Sequence, residues 1–256
     1  MRYFLKFKHF DKYSTDDLEH NKASFALFEE FKDQQELIAK VDSTKLNAKY
    51  GDNSLTDDNV IEIMREHIKC KYLLFCMALY HPMTSKRMKV LWNNYSKNCG
   101  FVIVYSVEKV IDFLRKHNKQ GAYNIRDVEY VEKEMYLTDY FDCLLEVYGK
   151  ENVDEKFAFN EFSLRLRQKG CNGDQIRFMS TKTKYEHSIE QEIRIIKILE
   201  DEKLIDNHCS KQFVIPEMVY ILSTSGQECI MTIFSICRRL RIKCALIGPN
   251  ETLKLN

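Results

Sequence analysis

The chain has 256 residues, 45% of them hydrophobic, and 39 basic side chains stand against 38 acidic ones. That length and apolar content support a real core and exclude a disordered tail, while the near-cancellation of charge excludes a global field for nucleic acid or membrane, so any such binding must be local. With 3 Pro, 8 Gly and no Ser-, Gly- or Pro-rich tract, residues 1–256 are read as one domain.

In chain order, "RYFLKFKHF" alternates, with Tyr3, Leu5 and Phe7 on one face and Phe4, Lys6 and Lys8 on the other, a first strand. "STDDLEH" predicts a short helix capped by Ser14 or Thr15, and "KASFALF" a second strand before the acidic, amide-rich "EEFKDQQEL". Asp57 or Asp58 opens a helix through "VIEIMREHIKC"; "KYLLFCMALY" is an apolar run expected as a buried strand. "TSKRMKVLWNNYSK" reads as a helix and "CGFVIVYS" as a strand. Helices follow in "VEKVIDFLRKH", "TDYFDCLLEVYG" and "EKFAFNEFSLRLRQK", with "NIRDVEYV" a strand between the first two. In "HSIEQEIRIIKIL" strict alternation places Glu190, Glu192 and Arg194 on one strand face over Ile189, Ile193 and Ile195. Ile189, Ile193, Ile196 and Leu199 also fit a helix, but the crowding of β-branched isoleucines favours the strand. The end reads strand "KQFVIPEMVYILS", helix "GQECIMTIFSICRRLR", strand "IKCALIG". Without regular βαβ alternation the class is α+β, with mixed or antiparallel sheets and surrounding helices.

Nine scattered cysteines without a C-x-x-C pair point to a reduced, cytoplasmic chain with no zinc site. "MRYFLKFKHF" is too charged for a signal peptide, and no run approaches the ~20 apolar residues of a membrane helix. P-loop, G-x-G-x-x-G, G-x-S-x-G and H-E-x-x-H motifs are absent. What remains is the Glu-x-Glu pair. Two carboxylates on one strand face can divide proton abstraction from the hydrogen bonding of a sugar hydroxyl; equally, they can be an ordinary solvated face. Trp92 and Tyr95, three apart on a helix, could stack on a planar ring or pack in the core. Lys6 and Lys8 could meet phosphate, and Arg238, Arg239 and Arg241 could meet nucleic acid or simply complement a helix C-terminus. No Cys–His pairing declares a nucleophile among the seven histidines.

The order of these features resembles a widespread bacterial domain-of-unknown-function family, number twenty-nine seventy-one. The likeness is carried by "FLKFKHFDKYSTDDLEHNKASFALFEEFKDQQEL", by "LWNNYSKNCGFVIVY" with its Trp-x-x-Tyr helix and glycine-led strand, and by "STKTKYEHSIEQEIRIIK" with a lysine before Glu-x-Glu-x-Arg. Lys32, Asp33 and Gln34 stand where the family has Asn-Asp-Pro, although Glu36 keeps the acid. Lys8 replaces an arginine, a histidine near Cys99 is missing, and Tyr185 or His187 replaces a tryptophan.

That family is similar to the ADP-ribosyltransferases, and the resemblance implies their fold and an enzyme that splits NAD and passes ADP-ribose to a nucleic-acid or protein acceptor. It assigns Glu192 to the nicotinamide ribose, Glu190 to the acceptor, Lys6 or Lys8 to the pyrophosphate, and Trp92, Tyr95 and Arg194 to the pocket. Such domains resemble toxins and antiphage effectors, which implies an antitoxin or immunity partner. A non-catalytic nucleotide or nucleic-acid binding module remains open. So does a metal-dependent nuclease using Asp33, Glu36, Glu190 and Glu192.

Overall fold

The structure, a computed structural model, describes residues 2–27, 39–51, 56, 72–80, 84–97, 99–118, 123–131, 135–148, 168–170, 177, 179–183, 190–198 and 208–255. The helices expected from Asp57 or Asp58 through Cys70 and in "EKFAFNEFSLRLRQK", and the segment holding Asp33 and Glu36, lie outside or almost wholly outside these residues.

The first strand forms as its alternation demands. In β1 (Tyr3–His9) Tyr3, Leu5 and Phe7 enter one apolar cluster and Phe4 enters another on the opposite face. Helix α1 (Lys12–Glu19) is capped by Asp11, whose Oδ1 accepts from the Ser14 N–H at 2.7 Å. Ser14 and Thr15 are therefore inside the helix and not its cap. Asp11 has the extended backbone a cap needs (φ −151°, ψ 173°), and its carboxylate reaches an N–H that would otherwise be unpaired. Next come β2 (Lys22–Leu27), β3 (Ala39–Lys40), α2 (Ser43–Tyr50) and β4 (Tyr72–Leu79). Helix α2, capped by Asp42, is an element the periodicity did not announce: Leu46 is its buried residue.

Thr84 caps α3 (Ser85–Ser96) by accepting from the Arg87 N–H, and β5 (Gly100–Ser106), buried at every residue, runs antiparallel to β1 over all seven positions. At its head Gly100 faces His9, and a Cβ there would lie 2.0 Å from the Lys8 carbonyl oxygen, so close approach requires glycine. Ser106 then caps α4 (Val107–His117), which buries Val107, Val110 and Leu114 at helical spacing. The segment "NIRDVEYV" is two strands, not one: β6 (Tyr123–Asp127) joins the main sheet, and β7 (Glu129–Val131) turns away into a separate pair. After β8 (Met135–Tyr136) and α5 (Thr138–Tyr148) come β9 (Thr181–Thr183), β10 (Glu192–Ile198) and β11 (His208–Gln212). The chain closes with β12 (Met218–Leu222), α6 (Gln227–Leu240) and β13 (Lys243–Ile247), where β12 and β13 run parallel as a crossover around α6 demands. "KQFVIPEMVYILS" is thus also split, β11 pairing with β2 and β12 with β5.

Nine strands form one sheet in the order β11-β2-β4-β1-β5-β12-β13, with β10 on the other side of β4 and β6 beyond it. Apart from β12 and β13 its pairings are antiparallel, so the architecture is α+β. One face is covered by α1, α4 and α6 over Phe4, Phe75, Ile103 and Ile195; the other by α3 over Leu5, Phe7, Val102 and Val104. Among the described residues no helix is long and apolar enough to cross a membrane.

One irregularity of this sheet positions everything that follows. The same edge of β4 is shared by two strands: Leu73 and Leu74 pair with β2, and Ala78 and Leu79 with β1. Between these pairings β1 and β4 separate, and Lys6 spans the gap, its Nζ donating to the Cys76 carbonyl at 2.7 Å.

Candidate active site

The Glu-x-Glu segment is a strand from Glu192 onward, running antiparallel to β4 with Glu192 opposite Ala78 and Arg194 opposite Cys76. Ile193 and Ile195 fill the core on the other face, as alternation requires. Glu190 precedes the strand. Gln191 turns the chain there in the left-handed region (φ 46°), a conformation that costs a non-glycine residue about 1–2 kcal/mol, and its carbonyl accepts from the Leu79 N–H at 2.9 Å. Ile189 lies outside the described residues.

An ordinary solvated strand face is ruled out by burial: Glu190, Glu192 and Arg194 are 2%, 4% and 0% exposed. Charges taken this far from water need partners, and each has them. Arg194 Nε donates to Glu192 Oε1 at 2.8 Å and its Nη1 to the Met179 carbonyl at 2.7 Å. Lys182 Nζ lies 2.6 Å from Glu192 Oε2 and 3.2 Å from Glu190 Oε2, so one ammonium joins both carboxylates. Tyr95 donates its hydroxyl to Glu190 Oε2 at 2.6 Å, and Asn94 Nδ2 donates to Oε1 at 3.3 Å. Arg87 Nη2 donates to the backbone carbonyls of Leu79 and Glu190, both at 2.8 Å, pinning the turn.

A small pocket, open to solvent, lies where β1 and β4 part. It is lined by residues 5–7 of β1, residues 76–78 of β4, and Tyr95, Glu190 and Glu192. Its electrostatics are set by competition. Burial pushes the Glu192 carboxyl up, but the Arg194 guanidinium and the Lys182 ammonium outweigh it and hold the group down at about 2, ionised at neutral pH. Burial, with the neighbouring Lys8 charge, lowers the Lys6 ammonium to about 8. Burial and then the Glu192 charge push the Cys76 thiol up, and burial with the Glu192 and Glu190 charges does the same to the Tyr95 phenol. Cys76 is thus a protonated thiol and not a nucleophile.

The other residues singled out in the sequence divide. Tyr95 is at the pocket, 38% exposed, while Trp92 is 1% exposed and packs edge-on against Phe7 at 4.9 Å, behind the wall. Lys6 lines the pocket; Lys8 is held by Asp17 at 3.0 Å, which Ser24 also reaches. Arg194 reaches Glu192 from within the protein and acts on the pocket through that carboxylate. Arg238, Arg239 and Arg241 are exposed at the end of α6, on the sheet face opposite α3 and the carboxylates, and Arg239 is paired with Glu19. They do not adjoin the pocket. Among the described residues no group of three or more His, Cys, Asp or Glu is placed to hold a metal. Lys182, the residue that organises the pair, has no motif of its own in the sequence. Its signal was only a lysine upstream of Glu-x-Glu.

Compared with family models, curated proteins and solved structures, the chain matches none of them.

Proposed function

We propose that the protein is an NAD-consuming, ADP-ribosyltransferase-like enzyme whose reacting end of NAD enters the gap between β1 and β4. The observation that carries this reading is an ionised, buried Glu192 at a pocket it shares with a second carboxylate, Glu190. Cleavage of the bond between nicotinamide and C1′ of the ribose develops positive charge on the sugar. A carboxylate fixed in a low-dielectric wall stabilises that charge without having to reorganise. Nicotinamide leaves with the bonding electrons, the acceptor oxygen or nitrogen bonds to C1′, and the acceptor's proton passes to Glu190. Lys6 lines the pocket while Lys8 is ion-paired with Asp17, so Lys6 is the cation that meets the pyrophosphate, giving up its hydrogen bond to the Cys76 carbonyl to do so.

The acceptor is a protein or a nucleic acid, in keeping with a toxin or antiphage effector countered by an immunity partner. With Arg238, Arg239 and Arg241 across the sheet from the pocket, a nucleic-acid acceptor would have to reach around the domain to touch them. A second reading, a non-catalytic nucleotide-binding module, draws on the fact that both carboxylates are already paired with cations of the protein.

Incubation with adenylate-labelled NAD and cell lysate separates the two. Nicotinamide release with label on a macromolecular fraction is expected, and Glu192→Gln lowers turnover by about 100- to 1,000-fold. NAD binding with no nicotinamide release under any lysate supports the binding module instead.

A further inference from the structure

We infer that Lys182 is the positioning residue of the site, holding a carboxylate from a turn and a carboxylate from a strand at one pocket rim with a single ammonium. It arrives on a separate device. β7 and β9 form a two-stranded parallel sheet that is not part of the nine-stranded one, with Tyr130 opposite Lys182. This ribbon and its flanks grip the Glu192 region at four points. Val128 N–H donates to the Glu192 carbonyl at 2.8 Å, and the Glu192 N–H donates to the Tyr130 hydroxyl at 3.0 Å. The Met179 carbonyl accepts from Arg194 at 2.7 Å, and Lys182 closes on the carboxylates. Glu129 N–H to the Ser180 carbonyl, 2.7 Å, ties the two strands together.

The ribbon therefore clamps the backbone of Glu192 and supplies one charge to both Glu190 and Glu192. The charge matters because two carboxylates at one buried site repel, and without an intervening cation such a pair shares a proton. The other groups facing the pair come from β1 (Lys6), β4 (Cys76), α3 (Asn94, Tyr95 and, on the Glu190 backbone, Arg87), β7 (Tyr130) and β10 (Arg194). Lys182 is 3% exposed, with side-chain atoms within 3.2 Å of both glutamates, so water does not substitute for it. The inference deepens the transferase reading in its kinetic consequence alone; the charge balance stands on the geometry.

The test uses the full chain with its glutamate carboxyls labelled with ¹³C, titrated by NMR in the parent, Lys182→Met and Lys182→Arg. In Lys182→Met one carboxyl of the pair takes up its proton about one to three pH units higher than in the parent, as expected on removing a close opposite charge. The acid limb of nicotinamide release moves up with it, and Lys182→Arg keeps the parent profile. A folded Lys182→Met protein with unchanged carboxyl titration overturns the inference. If the parent releases no nicotinamide, the transferase reading falls while the NMR titration still decides the role of Lys182. If Lys182→Met does not fold, Lys182→Met combined with Glu190→Gln, which removes one of the repelling charges, restores folding; failure to restore it overturns the inference as well.

Discussion

Replacing Glu192 by Gln tests the site through stability before any substrate is involved. On sequence alone the change looks harmless to folding, as for a charged residue on an open strand. The structure reverses that expectation, because Glu192 is 4% exposed and faces Arg194 at 2.8 Å and Lys182 at 2.6 Å. A neutral amide leaves two buried cations short of their partner, and breaking a buried pair from one side costs about 3–5 kcal/mol. Linkage gives a second route to the magnitude. A carboxyl lowered from 4.5 to about 2 in the folded state carries about 3 kcal/mol of stability at neutral pH, each unit being worth about 1.4 kcal/mol. The sign follows from the depressed folded value: this stability is fully present above pH 4.5 and is lost as pH falls through about 2. Urea unfolding at pH 7 should therefore show a midpoint lowered by about 1 M with the slope unchanged. The gap between parent and variant should shrink as pH falls below 4.5. A variant within about 0.5 kcal/mol of the parent at pH 7 would refute the buried-cluster reasoning.

The other predictions address the gap between β1 and β4 and the strands around it. Lys6→Met should stabilise the fold by about 2 kcal/mol at pH 7, since it removes a buried ammonium held near 8 at the cost of one hydrogen bond to Cys76. Between pH 8 and 10.5 the unfolded chain binds more protons at this residue than the folded one. Thermal melts should accordingly show the gain fading across that window, and a gain that persists above it would count against the cause. Gly100→Ala should destabilise by at least about 2–3 kcal/mol in the same urea assay, because its Cβ would press on the Lys8 carbonyl in a fully paired strand; a neutral result would mean that β1 and β5 can separate there. Tyr95→Phe should cost only about 1 kcal/mol, since Lys182 still holds the Glu190 oxygen that loses its phenol donor, and a loss above about 3 kcal/mol would show that the phenol does more.

Local pattern was enough for the elements whose faces are decided by their own residues. The alternation of β1, the apolar runs of β4 and β5, and the spacing of Val107, Val110 and Leu114 in α4 each admit one economical solution, and the structure has it. The same logic placed Ile193 and Ile195 in the core and turned Glu192 and Arg194 the other way. Where the chain changes partners, alternation was silent. "NIRDVEYV" looks like one strand, because the residue that ends its first pairing is marked by the neighbouring strand and not by its own side chain; in "KQFVIPEMVYILS" the break does carry a local mark, Pro216, which has no N–H for a ladder and stands between β11 and β12. Three features of the site belong to tertiary structure alone. Alternation assigns a face but not what covers it, so the burial of Glu190, Glu192 and Arg194 could not be read from their spacing. β1 parts from β4 where one edge of β4 is shared, Leu73 and Leu74 pairing with β2 and Ala78 and Leu79 with β1, a sharing between strands far apart in sequence. Lys182 joins both carboxylates because β7 and β9 pair outside the main sheet, and it is this long-range pairing that turns two charged residues and a distant lysine into one site.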